Sequence, residues 1–132
     1  MIKFTVPGSP VAKERPRFAK RGKFIVTYTP TKTKTAETSI AEYARYYMGF
    51  ANPLEGVMWL DLAFYLPIPK EKRKTIENDS WHVCKPDADN LAKLASDALN
   101  GICYHDDSQI ARLTITKRYS DNPRTEITIT VL

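Results

Sequence analysis

Cysteine and long apolar runs are scarce in this chain, and their scarcity excludes several classes of protein. Two cysteines among 132 residues cannot build a disulfide framework. No apolar run approaches the ~20 residues that a membrane-spanning helix needs, and the longest candidate, Val57–Leu66, has half of that length. Residues 1–20 contain neither an uninterrupted apolar core nor a small-residue cleavage site. We therefore expect an intracellular, cytoplasmic protein with no secretory signal and no membrane contact.

The charge of the chain is unevenly distributed. Its length predicts a single domain over residues 1–132, and the net charge is +5. Residues 1–34 carry nine lysines and arginines against one acid, Glu14, whereas residues 87–107 carry five aspartates against one lysine, Lys93. This distribution is typical of a polyanion-binding surface beside a cation-binding centre. Two solvated faces of opposite charge would give the same counts of charged residues in the two segments.

Hydrophobic periodicity predicts an α+β fold. The predicted strands are Ile2–Val6, Lys23–Tyr28, Val57–Leu66 (a central strand), Gln109–Lys117 and Thr125–Leu132. The predicted helices are Thr33–Met48 and one that starts with Asp89 as its N-cap and stops at Asn100-Gly101. Basic segments at Lys13–Lys23, predicted as a loop, and at Lys70–Asn78, predicted as helix or loop, lie between them. Because neighbouring strands are joined by short turns, we expect a mixed or antiparallel sheet packed against helices on one face.

The densest chemical signal is Lys85-Pro-Asp-Ala-Asp-Asn-Leu-Ala-Lys93, followed by His105-Asp-Asp-Ser-Gln109. A helix that starts at Asp89 would place Lys93 one turn further along the same stripe. The short turn at Gly101 would allow the second block to return to the start of this helix. The pattern therefore predicts carboxylates that converge on one point.

Converging carboxylates repel one another unless a positive charge compensates them. Hard oxygen ligands at this density suit Mg²⁺ or Mn²⁺, which also bind substrate phosphates. For any single aspartate, a turn, a helix cap or a solvated loop is an adequate explanation. The combination of Asp-x-Asp, a lysine four residues later and a downstream Asp-Asp favours chemistry that uses a cation and a phosphate.

A rival ligand set consists of His82, Cys84, Cys103 and His105, which would suit zinc. One intervening residue within each pair is a poor chelate spacing for a structural zinc site. We therefore expect Cys84 and Cys103 to be small buried apolar residues, and His82 and His105 to lie at the surface or at the edge of the site.

Three spaced blocks together resemble a known family. They are Lys85-Pro-Asp-Ala-Asp-Asn-Leu-Ala-Lys93, Asp97-Ala-Leu-Asn-Gly101 and Tyr104-His-Asp-Asp-Ser-Gln-Ile110. On these residues the chain resembles the RusA-type Holliday junction resolvases, small endonucleases common in prophages and bacteria. The resemblance extends more weakly to Gly8-x-Pro10 and Lys13-x-Arg-Pro-Arg17, so we expect it to cover the whole chain.

The resemblance implies roles for particular residues. The family's acidic triad falls on Asp87, Asp89 and Asp107, as catalytic residues and metal ligands, and its essential lysine falls on Lys93. Asp106 matches an adjacent acid and is kept as a further candidate ligand. The resemblance also implies a RusA-like fold, Mg²⁺ with Mn²⁺ as a substitute and no organic cofactor, a homodimer, and symmetrical cuts in four-way DNA during recombination and repair.

The residues fit phosphodiester hydrolysis. A cation held by the triad lowers the pKa of an attacking water and contacts the phosphate, while Lys93 stabilises the developing charge or orients the water. The basic residues would hold backbone phosphates by contacts that are blind to sequence and sensitive to salt. The candidate DNA-binding residues are Lys13, Arg15, Arg17, Lys20, Arg21, Lys72, Arg73 and Lys85.

Two other functions stay open at the level of sequence. The first is a non-catalytic protein that binds branched DNA, although pure binding has no need for carboxylates that face phosphates. The second is a nuclease that prefers flaps or other branched DNA to four-way junctions.

Overall fold

The elements of the fold follow the apolar periodicity of the chain. The computed structural model describes residues 1–14, 17–28 and 30–132. In chain order its main elements are β1 (Ile2–Pro7), β2 (Arg17–Arg21), β3 (Phe24–Tyr28), α1 (Thr31–Met48), β4 (Met58–Pro67), α2 (Ala88–Leu99), β5 (Ile110–Ser120) and β6 (Arg124–Val131). Single 3₁₀ turns occur at Lys70–Lys72 and Asp107–Gln109. Within the described ranges, no helix combines the length and the apolar character needed to cross a bilayer.

Four strands form a mixed sheet in the order β1-β6-β4-β5. β4 pairs parallel with β5 and antiparallel with β6, and β6 pairs antiparallel with β1. The α+β class and the central position of the apolar strand are thus confirmed. Only alternate residues of β4 are fully buried, as expected for a strand with one face on the core. They are Met58, Leu60, Leu62, Phe64 and Leu66.

Two helices cover the buried face of this sheet. The predicted apolar stripe of α2 is confirmed, because Leu91, Leu94, Ala95 and Ala98 are buried. The stripe belongs to the same core cluster as Ile40 of α1, and the two helices contact each other. Burial of a leucine or isoleucine side chain contributes about 1.5–3 kcal/mol. Packing of α1 and α2 therefore holds the start of α2 in a defined position against the sheet.

The last two strands of the chain do not pair with each other, although a short turn joins them. β4 lies between β5 and β6 and pairs with both. The parallel pairing of β4 with β5 requires a long crossover connection, and residues 68–109 supply it. Both predicted blocks of acidic residues, at 87–89 and at 106–107, lie in this crossover.

The basic segment predicted as a loop contains a strand. Arg17–Arg21 forms β2, which pairs antiparallel with β3 from Arg17↔Tyr28 to Arg21↔Phe24. This hairpin is a separate two-stranded sheet, and β3 does not join the main sheet. The prediction of one sheet built from neighbouring strands is therefore wrong for β3. The sequence of β2, Arg-Phe-Ala-Lys-Arg, does not alternate between cationic and apolar residues, so hydrophobic periodicity alone does not predict this strand.

Candidate acidic site and basic surface

The helix α2 begins two residues earlier than predicted. Asp87, and not Asp89, is its N-cap, in an extended conformation with φ −73° and ψ 146°. Asp89 lies in the first turn of the helix. An N-cap aspartate ordinarily accepts a hydrogen bond from a backbone N–H of the first turn, but the Asp87 side chain accepts none. The carboxylate of Asp87 is exposed and remains available to a ligand.

Lys117 of β5 holds the segment that leads into Asp87. Its Nζ donates hydrogen bonds of 2.7 Å to the carbonyl oxygens of Cys84 and Pro86. The Lys85–Pro86 peptide bond between them is cis. Lys117 pairs with Phe64 in the sheet register and therefore lies on the core-facing side of β5. Sequence reasoning missed this positioning lysine, because it reads as an ordinary charged residue of an alternating strand.

Lys93 joins α2 to the turn that carries Asp107. Its Nζ lies 3.0 Å from Asp97 Oδ1 and 3.9 Å from Asp107 Oδ2. The return from α2 is fixed by Tyr104, which is fully buried and donates a 2.7 Å hydrogen bond to the Ser96 carbonyl. Asp107 therefore faces the same side of α2 as Lys93.

Asp97 connects two lysines from different parts of the chain. Its second oxygen, Oδ2, lies 3.1 Å from the Nζ of Lys13, which also pairs with Glu37 of α1. Burial opposes the charge of Lys13, but hydrogen bonds and charges of Glu37 and Asp97 outweigh it and raise its pKa above the ordinary value. The backbone N–H of Lys13 also donates to the Asn90 carbonyl of α2. Asp97 was not among the predicted site residues, since nothing local in sequence indicates a contact with Lys13.

Asp106 has a structural role at the start of the 3₁₀ turn that contains Asp107. It is the N-cap of the 3₁₀ turn Asp107–Gln109, and its carboxylate accepts a 3.0 Å hydrogen bond from the Ser108 backbone. Hydrogen bonds from Ser108 lower the pKa of the Asp106 carboxyl. Gln109 completes this capping box and donates to the carbonyls of Leu54 and Gly56. The turn is thereby fastened to the segment before β4, and Asp107 has a fixed backbone position.

The donor set consists of hard oxygen ligands. Asp87 and Asp89 have no side-chain hydrogen bond or ion pair within the described part of the chain. As the side chains stand, the described residues include no group of three His, Cys, Asp or Glu side chains close enough to hold a metal ion. The chemistry of Asp87, Asp89 and Asp107 fits a divalent cation such as Mg²⁺, because all three supply carboxylate oxygens. Closure of these exposed side chains would be required to enclose one.

Two predicted cationic residues border a cleft beside the acidic segment. Lys72 and Lys85 line this cleft of about 350 Å³ together with Pro86, the neighbour of Asp87. Arg73 is exposed at the end of the 3₁₀ turn, and Lys20 is exposed on β2. Arg15 lies outside the described residues, and so do the side chains of Arg17 and Arg21.

The four residues of the rival zinc set differ in their burial. Cys103 is buried and His105 is exposed, as predicted. Cys84 is exposed, so its predicted burial is wrong. His82 is buried and does not lie at the surface, but it borders the cleft that Lys85 and Pro86 line beside the acidic segment. The His82 ring contacts Tyr119 at 4.6 Å between centroids, which explains its burial. Burial and the charge of Lys117 lower the pKa of His82.

The two thiols are expected to differ in reactivity. Burial raises the pKa of Cys103 to about 11, whereas Cys84 is exposed. Because the thiolate is the reactive form, a disulfide reagent such as DTNB at pH 8 should label one thiol in the folded protein and two after unfolding. Cys84→Ser should remove the fast reaction completely. Two fast thiols in the folded wild type would contradict the buried position of Cys103.

Comparisons with known proteins cover nearly the whole chain. The family model described as Endodeoxyribonuclease RusA matches residues 7–130. The protein of Bacillus subtilis (strain 168) called Uncharacterized protein YqaN is 36% identical over 135 aligned positions, which cover 97% of this chain and 94% of that protein.

Proposed function

The chain belongs to the RusA family of endodeoxyribonucleases, and we propose that it resolves four-way (Holliday) DNA junctions by paired, metal-dependent hydrolysis of phosphodiester bonds. The observation that carries the proposal is the free carboxylate of Asp87 at the start of α2, beside Asp89 and on the connection that also contains Asp107. An N-cap aspartate that leaves its helix uncapped forgoes about 1 kcal/mol. A ligand that binds the carboxylate would offset this loss.

We assign the three carboxylates of Asp87, Asp89 and Asp107 to the divalent cation. The cation, Mg²⁺ with Mn²⁺ as a substitute, would lower the pKa of an attacking water and neutralise charge on the phosphate. Asp106 remains a fourth candidate, but its hydrogen bond to Ser108 suits it better to positioning its neighbour Asp107. Lys117 positions Asp87 through the two carbonyls that it binds.

Lys93 is the proposed electrostatic catalyst. Its side chain is 58% exposed and lies between Asp97 and Asp107, so an incoming phosphate can reach its ammonium group. A positive charge fixed beside the phosphate stabilises the additional negative charge of the transition state. The ion pair with Asp97 would keep that charge in place before the DNA binds.

The DNA backbone is proposed to lie across the basic residues on either side of the acidic segment. Lys72 and Lys85 border one cleft next to Asp87, and Lys20 lies on the hairpin with Arg17 and Arg21. Lys13 has carboxylate partners in Glu37 and Asp97, so its predicted phosphate contact requires competition with them. Paired cuts in a four-way junction require two active sites, and we therefore propose a homodimer that acts in recombination or repair.

A cleavage assay tests this function. Four-way, flap and linear DNA that share the same arm sequences are incubated with the protein in Mg²⁺, in Mn²⁺ or in EDTA. We expect symmetrical cuts in the four-way junction with either metal and no cuts in EDTA. Junction binding without cutting in any metal would identify a non-catalytic DNA-binding protein. Faster cutting of the flap would identify a flap nuclease.

Loss of the charge of Asp97 should lower kcat, because the ion pair that positions Lys93 is lost. In Asp97→Asn, Asp107 at 3.9 Å is the one charged partner that the ammonium group of Lys93 keeps among the described residues. A misplaced catalytic group costs up to about a hundredfold in rate, and we expect kcat to fall by ~10-fold with KM unchanged.

Glu37→Gln is the matched control for Asp97→Asn. It removes the other carboxylate partner of Lys13 and leaves the contacts of Lys93 intact. We expect kcat of this control to stay close to the wild-type value. Equal losses in the two variants would show that Asp97 acts through Lys13, and not by positioning Lys93.

A further inference from the structure

The β2–β3 hairpin exposes large apolar side chains. Phe18, Phe24 and Ile25 are 74%, 75% and 72% exposed. The hairpin forms its own two-stranded sheet and has no hydrogen-bonded strand neighbour beyond β2 and β3 among the described residues. An isolated hairpin is marginally stable in water, and exposed apolar clusters generally mark interaction surfaces. A partner that covers these side chains would stabilise the hairpin.

The apolar side chains lie on both faces of the hairpin. Register pairs Lys20 with Ile25, and alternation places Phe18 on that same face. Phe24 and Val26 lie on the opposite face. A protein surface that docks against a two-stranded ribbon covers one face and leaves the other in water. Both faces are covered only when the ribbon enters a gap between two surfaces.

The charge of the hairpin selects the kind of partner. Residues 17–28 contain four cations and no acid: Arg17, Lys20, Arg21 and Lys23. Pairing of this hairpin with its copy would bring like charges together. DNA matches both properties of the hairpin. Its phosphates complement the four cations, and the base pairs next to a branch point offer flat apolar surfaces to both faces of the hairpin.

We propose that the β2–β3 hairpin enters the branch point of the DNA junction, where Phe18 and Phe24 stack on base pairs at its two sides while the cations contact the flanking phosphates. This inference rests on the proposed binding of branched DNA and adds the element that distinguishes a branch from a linear duplex. Apolar wedges of this kind separate base steps in other DNA complexes, and aromatic stacking on bases is independent of sequence. The hairpin would thus recognise DNA shape.

The test compares affinities for two DNAs. The double variant Phe18→Ala/Phe24→Ala removes both rings and no charge. In EDTA, where cleavage is prevented, we expect its affinity for a four-way junction to fall by about 30-fold or more, with the affinity for linear duplex almost unchanged. The matched control is Phe50→Ala, which removes a still more exposed ring that follows α1. It should change neither affinity. Dichroism spectra establish that each variant is folded.

A second measurement reports on the branch point itself. With 2-aminopurine placed beside the branch, wild-type binding should change its fluorescence, and the double variant should not. Equal losses of affinity for the two DNAs, or an unchanged preference for the junction, would overturn the proposal. A smaller molecular mass of the double variant in light scattering would overturn it too, because the hairpin would then join two copies. If the wild type cuts no DNA in Mg²⁺ while the fluorescence change occurs, the nuclease function fails and the wedge stands.

Discussion

The Asp87→Asn variant is expected to lose junction cleavage by a factor of ~10³ or more, with junction binding equal to or tighter than that of the wild type. Asparagine caps a helix as well as aspartate does, so the start of α2 should be preserved. The variant loses one negatively charged ligand of the proposed cation and one charge that repels phosphate. Single-turnover cleavage at saturating metal, together with binding measured in EDTA, separates the two effects.

Asp79→Asn is the control for this variant. Asp79 is an exposed aspartate with a positive φ of 69°, a conformation that asparagine also tolerates. The control should cut and bind like the wild type. Cleavage by Asp87→Asn within tenfold of the wild-type rate would reject Asp87 as a metal ligand.

Lys93→Ala is expected to lose about 10²–10³ of the turnover at saturating DNA. The fold should tolerate the change, since the lysine side chain is largely exposed and alanine favours helix. The physical reason for the loss is the removal of the positive charge beside Asp107, where the phosphate is proposed to bind. Stopped-flow or quench measurements of the cleavage step, with a thermal melt of each protein, test this expectation.

Lys34→Ala makes the same substitution at an exposed position of the other helix, α1. Its melting temperature and its turnover should both stay near those of the wild type. If Lys93→Ala melts early and nevertheless cuts at the wild-type rate when folded, Lys93 is a structural partner of Asp97 and has no catalytic role.

The sequence predicts correctly those features that depend on residues close together in the chain. The stripe of α2 and its stop at Asn100-Gly101 follow from helical spacing and turn chemistry, and the structure agrees. The position of the cap does not follow, because Asp87 and Asp89 are both good N-cap residues. Lys117, which is distant in sequence, donates hydrogen bonds to the carbonyl oxygens of Cys84 and Pro86 just before Asp87. The helix in the structure starts directly after this fixed segment, with Asp87 as its N-cap.

Long-range pairing was beyond the reach of local patterns. The turn after Ser120 has the length of a hairpin turn, yet the insertion of β4 between β5 and β6 depends on contacts across the whole sheet. The same limit applied to the site. The carboxylates of the candidate site are predicted by their chemical type and spacing, whereas the bridge from Lys13 to Asp97 joins residues 84 positions apart.

The place of β6 in the sheet determines when the enzyme can become active during its own synthesis. A nascent chain that ends at Asn122 already contains Asp87, Asp89, Lys93 and Asp107. Its strands β1 and β4 nevertheless have no common neighbour, because β6, which is translated after both of them, lies between them. The helices that orient the acidic residues pack on this sheet, so β6 must also be synthesised before the complete sheet can hold them in place. Translation that stops early, within β6, therefore produces a chain with all four residues of the proposed site and no assembled nuclease.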